Sequence, residues 1–350
     1  MEVITIKVRT LTPIWTGDID RKCMKIKETG IIGSLRWWYE TIVRGYGGKA
    51  CDPTSSTCGN EDHCDACELL GCTGWSRKIK VIIREYSPEL VPEIRVRTRE
   101  CRRTRSGFRY LSRIFQGIFS EDISLQIMPI REVFGYEWYL LRKTLNVIHN
   151  YGAIGGRIAQ GNGVIRIVKL KVPEAELPSP YEDLEYFWNK EFRGATINSP
   201  NLKDFFFYKF QLTFSGKVKD LIKKRRFWGS AGQIEDWVKV WDKYGILPIG
   251  FHVRDMLRRE LISDRSRRHE VFGKRGRGSK VFVSHAYKVN DNGEDKVEFR
   301  IFGYSLFRSE IEIIPDVFAN KLPFYISQDP NRPIPVGMSK ISLKRGGELL

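Results

Sequence analysis

The sequence predicts an α+β fold of two ferredoxin-like (βαββαβ) domains. The chain has 350 residues, which is enough for two domains with separate cores. In the first half, apolar residues follow strand and helix periodicities in the order β-α-β-β-α-β. A proline-rich segment then precedes a second mixture of strand and helix patterns. We therefore predict domains over 1–172 and 203–350, joined by a linker over 173–202.

The elements of the first domain follow from their apolar spacing. Apolar and polar residues alternate over about residues 3–10, which predicts a strand. A helix is predicted over 33–45, with Ser34 as its N-cap and a Gly-Gly pair after its end. The remaining elements are a strand over 77–86, a strand in 93–99, 123–130 or both, a helix over 132–151 and a strand over 163–172.

Five glycines lie in the segment GAIGGRIAQGNGVIRI, Gly152–Ile167, between the second helix and the last strand. In mononucleotide-binding folds such glycines follow a strand and open a helix, and Asn162 stands where a P-loop requires Lys. A nucleotide cofactor is therefore not expected. Glycine amides can still form an anion nest, with Arg157, Gln160 and Asn162 as further donors. The alternative is a tight connection without a ligand.

The charge of the chain favours a polyanionic partner. Lysine and arginine number 59 and Asp and Glu 42, a formal net charge of +17. Two basic stretches, 95–113 and 264–280, can line a groove for a single strand of nucleic acid, with Phe108 or Tyr110 stacking on bases. Solvated surface charge is the alternative for 264–280.

No apolar run approaches the ~18 residues of a membrane span. The N-terminus also lacks the apolar core of a signal peptide. We expect a cytoplasmic protein with no membrane partner.

Four of the seven cysteines, Cys51, Cys58, Cys64 and Cys67, lie close together in the chain. A Cys-x-x-Cys pair with two further thiols can close a tetrahedral site, so a structural zinc ion is predicted here. The spacing between the first two is wider than in a usual zinc knuckle. Disulfides, as in a thermophile, and free thiols stay open as alternatives.

Four motifs occur in an order that resembles the RAMP superfamily of CRISPR effector proteins. Within it, the similarity is greatest to the first subunits of type III-B (Cmr) RNA-targeting complexes. The motifs are T-P-[LI]-x-x-G at 12–17, G-[SA]-L-R-x-W-[WY] at 33–39, C-x-x-C-x-L-[FL]-G at 64–71 and the glycine loop at 152–163. They cover about residues 1–172, and only 271–281 of the second half looks loosely similar.

The resemblance implies a structural subunit that binds single-stranded RNA by its backbone, namely CRISPR guide RNA and possibly target RNA, together with other effector subunits. The candidate RNA-binding residues are Arg21, Lys22, Ser34, Arg36, Arg44, Gly155, Gly156, Arg157, Gln160, Gly161, Asn162, Lys274, Arg275 and Arg277.

No catalysis is predicted, although nucleases occur among RAMP proteins. A metal-dependent relative would use Asp18 or Asp20, for which loop polarity is the alternative. General acid–base chemistry would use His149, for which a cationic role in capping the helix is preferred. A general RNA chaperone is a third possibility.

Overall fold

The computed structural model describes residues 3–18, 20, 22–52, 58–59, 63–105, 107–171, 199–230, 232–274, 276–289 and 295–350. Within them the fold is mixed α+β with antiparallel sheets, which confirms the predicted class. Residues 173–198, most of the predicted linker, lie outside the described residues. No helix in the described ranges is both long and apolar enough to cross a bilayer.

The first sheet has four antiparallel strands in the order β2-β5-β1-β6. They are β1 (Ile4–Thr10), β2 (Ile79–Tyr86), β5 (Ile123–Pro129) and β6 (Ile165–Lys171). Helices α1 (Glu28–Gly45) and α3 (Gly135–Asn150) pack together and share one apolar core with the sheet. A short helix, α2 (Asp65–Leu70), follows α1.

Helix α1 begins before its predicted start, so Ser34 is not its N-cap. The N-cap is Lys27, whose backbone N–H donates to Thr16 Oγ1 (3.0 Å) in the turn after β1. Gly30 and Gly33 are weak helix formers, and for this reason the first turns of α1 were not predicted from the sequence. Ser34 lies inside the helix and donates to the carbonyl of Gly30 (3.0 Å).

A long hairpin is inserted between β2 and β5. It consists of β3 (Glu89–Thr104) and β4 (Gly107–Phe119). The strands predicted within 93–99 and 123–130 both form, whereas β4 was not predicted. Of the buried apolar residues at the base of the hairpin, Ile118 joins the first core. Most of the others join the core of the second sheet; they include Val91, Ile94, Val96, Phe115 and Phe119.

The second sheet has the strand order β12-β7-β11-β10-β8, with β9 also pairing with β11. Its strands are β7 (Phe206–Phe214), β8 (Ile246–Leu247), β9 (Val281–Val283), β10 (Ala286–Lys288), β11 (Lys296–Gly303) and β12 (Val336–Arg345). The helices are α4 (Val218–Lys223), α5 (Ile234–Tyr244), α6 (Gly250–Glu260), α7 (Arg265–Phe272), α8 (Arg308–Glu312) and α9 (Ile314–Tyr325).

Candidate nucleic-acid interface

The glycine loop lies between α3 and β6, as predicted, but its main-chain amides bond within the protein. The N–H of Gly155 donates to Ser34 Oγ (2.7 Å) and that of Gly156 to the Trp15 carbonyl (2.6 Å). Gly161 and Gly163 donate to the carbonyls of Ile158 (3.0 Å) and Pro13 (2.9 Å). These four amides are therefore not available to a phosphate, which corrects the expected anion nest.

Close packing explains the glycines instead. Gly163 has φ +91°, and a Cβ there would overlap the carbonyl of Ile154. A Cβ on Gly161 would lie 2.7 Å from the ring of His285, which precedes β10 of the second sheet. Asn162 is buried and donates from Nδ2 to the Gln116 carbonyl of the hairpin (2.8 Å). The loop thus contacts the region of the second sheet and the hairpin at one point.

Arg157 is the cation of this loop. Its backbone is left-handed (φ 57°), and its guanidinium lies 4.3 Å from the ring centroid of Trp15. Burial lowers the pKa of Arg157, while Cys23 and Glu93 act in the opposite direction. Arg157 and Gln160 are half-buried, so both retain surface that a ligand can touch.

Arg36 and Arg44 of α1 face inward. Arg36 donates to Glu40 Oε1 (2.7 Å), the Gly71 carbonyl (2.6 Å) and Cys67 Sγ (3.0 Å). Arg44 donates to the carbonyls of Ala50 (3.1 Å), Cys51 (2.7 Å) and Pro200 (2.9 Å). Both side chains tie the cysteine-rich segment to α1, which corrects their expected role as backbone contacts.

The predicted acidic residues, Asp18 and Asp20, lie in the loop after β1. Neither belongs to a group of potential metal ligands among the described residues. Asp18 forms an ion pair with Lys27, and its N–H donates to the Lys22 carbonyl (2.8 Å). Asp20 and Lys22 are exposed. Arg21 and Arg275 lie outside the described residues.

His149 is a neutral acceptor rather than a helix-capping cation. Its Nδ1 accepts the N–H of Ile167 in β6 (2.9 Å). Burial lowers the pKa of His149, and the charges of Arg300 and Arg166 lower it further. The cation that caps α3 is Arg300 of β11, which donates to the carbonyls of Ile148 (3.1 Å), His149 (2.8 Å) and Gly152 (2.9 Å). Sequence reasoning missed it because its partners lie in the other domain.

The far half of the hairpin is exposed and basic. Every described side chain from 101 to 110 is exposed, including Arg103, Arg105 and Arg109. These three have no carboxylate partner among the described residues. Tyr110 is 44% exposed and lies with its ring 5.4 Å from that of Trp228, whereas the side chain of Phe108 lies outside the described part.

A basic turn follows α7. Lys274 and Arg277 pair through their main chains (N···O 3.1 and 2.9 Å) and project exposed side chains. The pKa of His269 is lowered by desolvation and then by Arg258, Arg265, Lys274 and Arg268, so these cations share one neighbourhood. Other cations of this stretch are neutralised, since Arg267 pairs with Glu310 (2.7 Å) and Lys280 with Glu270 (3.0 Å).

The four cysteines converge beside α1. The Sγ atoms of Cys51, Cys58, Cys64 and Cys67 all lie within 4.8 Å of one another, so the cluster can hold a metal ion. Cys64 Sγ accepts the N–H groups of Cys51 (3.3 Å) and Cys67 (3.4 Å). No disulfide bond joins any of the seven cysteines, each of which lies in a described range.

The family model of the RAMP superfamily matches residues 7–166. Residues 7–166 are therefore similar to the RAMP superfamily. The match includes α1, the cysteine cluster, the hairpin and the glycine loop, whereas the basic turn at Lys274 and Arg277 lies beyond it. No curated protein matches the chain.

Several solved structures are similar to this chain at low identity. Apo Cmr1 from Pyrococcus furiosus is 12% identical, covers 97% of this chain and 98% of its own, and gives a TM-score of 0.41. A chain of the type III-B Cmr-beta complex bound to cognate target RNA is 12% identical, with 91% of this chain and 98% of that chain covered and a TM-score of 0.42. A chain of a type IV-B CRISPR complex is 13% identical, covers 54% and 100%, and gives 0.38.

Proposed function

We propose that the protein is an RNA-binding structural subunit of a type III-B CRISPR effector ribonucleoprotein. It holds single-stranded guide RNA, alone or paired with target RNA, through the phosphate backbone and contacts other effector subunits. The observation that carries the proposal is the exposed, unneutralised arginine group at the end of a RAMP-region hairpin. The similarity to the RAMP superfamily supports the CRISPR context.

The group formed by Arg103, Arg105 and Arg109, here called the hairpin arginines, fits a polyanion. Without carboxylate partners among the described residues, these cations keep their full attraction for phosphates and release counterions on binding. Tyr110 presents an aromatic surface beside them, on which a base can stack. Sequence-tolerant backbone binding follows from this combination.

A second set of contacts surrounds the glycine loop. Arg157, Gln160, Lys22, Lys274 and Arg277 keep accessible side chains, so we retain them as RNA contacts. Ser34, the loop glycines and Asn162 support this surface from below, since their polar groups are engaged within the protein.

Neutralising the hairpin arginines is expected to weaken RNA binding uniformly across sequences. The triple variant Arg103→Ala, Arg105→Ala, Arg109→Ala should lose about 10- to 100-fold in affinity for single-stranded RNA near physiological salt. The slope of log K against log salt should fall by about two, because each lost phosphate contact on a single strand removes ~0.7. Fluorescence anisotropy with two unrelated RNAs over a range of salt measures both.

The matched control removes three exposed arginines elsewhere. Arg84, Arg142 and Arg308 lie on β2, α3 and α8, and replacing them by Ala changes the net charge equally. Equal losses in the two triple variants would mean that only net charge matters and would overturn the interface. Co-purification with companion subunits and a guide RNA separates this proposal from a general RNA chaperone.

We infer that both sheets are ferredoxin-like. In the first, the chain order β1-α1-β2-β5-α3-β6 gives a βαββαβ unit into which the hairpin is inserted. In the second, β7, β11 and β12 form the same neighbour relations, with β9 and β10 together beside β11. We propose two domains over 1–172 and 203–350 with a linker over 173–202, and a cytoplasmic location.

We propose that the cysteine cluster holds a structural zinc ion. Cys51 Sγ and Cys67 Sγ are 3.6 Å apart, close to the roughly 3.8 Å edge of a tetrahedron with ~2.3 Å Zn–S bonds. Donors already point at the sulfur atoms, as outer partners of thiolate ligands do: Arg36 contacts Cys67 Sγ, and two backbone N–H groups reach Cys64 Sγ. The ion would join the segment around α2 to α1.

We propose no catalytic role. Asp18 is paired with Lys27, and His149 is engaged with β6. Labelled RNA incubated with Mg²⁺ or Mn²⁺ tests this: cleavage that disappears in Asp18→Ala or Asp20→Ala would establish the nuclease alternative.

A further inference from the structure

A cavity of about 420 Å³ opens between α1, the glycine loop and the edge of the second sheet. Its volume lies in the range of small-molecule sites, ~300–1,000 Å³. Five aromatic side chains line it: Trp37, Trp38, Phe282, Phe302 and Tyr304. Small residues of α1 and the glycine loop also line it, among them Gly33, Gly155 and Gly156.

We propose that this cavity receives one unstacked base of the bound RNA. The inference rests on the proposed RNA binding and adds to it a nucleobase site at the junction of the two domains. The hairpin arginines and the basic turn bind phosphates, whereas this cavity binds the flat face of one nucleobase.

The aromatic walls are suited to a flat ligand. Trp37 lies edge-on to Phe282 (centroids 6.1 Å apart), and Phe282 stacks on Phe302 (5.1 Å). Trp37, Phe282 and Tyr304 are half-buried, so solvent reaches the cavity from outside. Every nucleobase has a π-face that can stack on such surfaces.

The polar groups of the cavity predict little discrimination between bases. Ser34 Oγ donates to Gly30 and accepts from Gly155, and Ser279 Oγ donates to the Val281 carbonyl (2.6 Å). The Tyr304 hydroxyl and the Trp37 indole N–H line the cavity without a side-chain hydrogen bond to the described residues. Two such groups can orient a base, but they cannot read a full donor and acceptor pattern.

Charge at the cavity mouth favours a nucleotide over an apolar protein side chain. Ser279 lies in the lining, and the exposed basic turn ends two residues before it. Consecutive Cα atoms are ~3.8 Å apart, so Arg277 lies within reach of a phosphate attached to the bound nucleotide. An apolar side chain of a protein partner would form no ionic interaction with this guanidinium.

Gly33 allows the cavity to be filled without disturbing the core. It is exposed in α1, and a Cβ added there meets no atom within 4 Å. Because its backbone is helical, a larger side chain also favours the helix over glycine. Gly33→Phe should therefore fold and block the cavity. Thr29→Phe is the matched control, since Thr29 is exposed on the same helix outside the lining.

The test measures affinity for an oligouridine and an oligoadenine at several salt concentrations. Gly33→Phe should lower both affinities about 5- to 100-fold, the loss of one stacked base, and leave the salt slope unchanged. Thr29→Phe should bind like wild type. An abasic residue scanned along the oligomer should reproduce the loss at one position in wild type and have no further effect at that position in Gly33→Phe.

The outcomes separate the two proposals. Failure of wild type to bind RNA would overturn the proposed function, and with it this site. Normal RNA binding by Gly33→Phe would overturn the base site alone. If that variant binds RNA normally but no longer associates with companion subunits, the cavity is a protein-binding site instead.

Discussion

Replacing Cys67 by Ser is expected to abolish zinc binding and to lower the free energy of unfolding by more than about 3 kcal/mol. Cys67 Sγ lies 3.6 Å from Cys51 Sγ and accepts a hydrogen bond from Arg36. A serine oxygen is a poorer zinc ligand than a thiolate, and three remaining ligands do not close a structural site. Chelator treatment of the wild type should produce a loss of similar size.

The effect is large because the cysteine cluster also fixes the segment that supplies hydrogen-bond acceptors to two arginines of α1. Arg36 and Arg44, both mostly buried, connect α1 to Gly71, Cys51 and Pro200. If the segment around α2 detaches, Arg36 loses the Gly71 carbonyl and Arg44 loses the Cys51 carbonyl, while Glu40 is left as their ionic partner on α1. An incompletely satisfied buried charge costs several times more than a surface contact contributes.

Metal analysis of protein purified without added zinc, combined with urea unfolding, measures both parts of the prediction. The matched control is Cys101→Ser, because Cys101 is exposed on the hairpin. That variant should retain one zinc ion per chain and wild-type stability. Wild-type protein without zinc, or with unchanged stability in chelator, would contradict the prediction.

Local patterns predicted the elements of the first domain better than the roles of its side chains. The alternation of Ile4, Ile6 and Val8 and the helical stripe of α3 depend on neighbours in the chain, and both elements form at the predicted places. The orientation of Arg36 depends on the carbonyl of Gly71, which no local pattern encodes. Sequence reasoning therefore assigns an arginine of a basic protein to ligand binding, because the acceptors that the arginine meets inside the protein are known only from the fold.

The same limit applies to the glycine loop and the hairpin. The loop was placed correctly between helix and strand, but its glycines serve contacts with Trp15 and His285, distant in sequence. Strand β4 carries an irregular mixture of arginines and aromatics, and only pairing with β3 makes it a strand. Residues whose partners lie across the domain boundary are the ones that sequence reasoning misses.

Arg300→Met is expected to destabilise the protein by about 3–5 kcal/mol. Arg300 is 4% exposed, and its guanidinium donates to three carbonyls at the end of α3 and the start of the glycine loop. Methionine keeps much of the side-chain volume but supplies no donor, so these buried carbonyls lose their cation. Urea unfolding followed by tryptophan fluorescence measures the change.

Arg166→Met is the matched control, because Arg166 is an exposed arginine on β6 and its loss should stay within about 0.5 kcal/mol.

The position of Arg300 also predicts which part of the structure loosens first in Arg300→Met. Its three acceptors lie at the end of α3 and in the glycine loop, whereas its strand belongs to the second sheet, so the variant should loosen the contact that holds Gly161 against His285. Limited proteolysis should therefore cleave Arg300→Met in the glycine loop at denaturant concentrations that leave wild type intact. Equal protection of the loop in both proteins would mean that Arg300 caps α3 without coupling the domains.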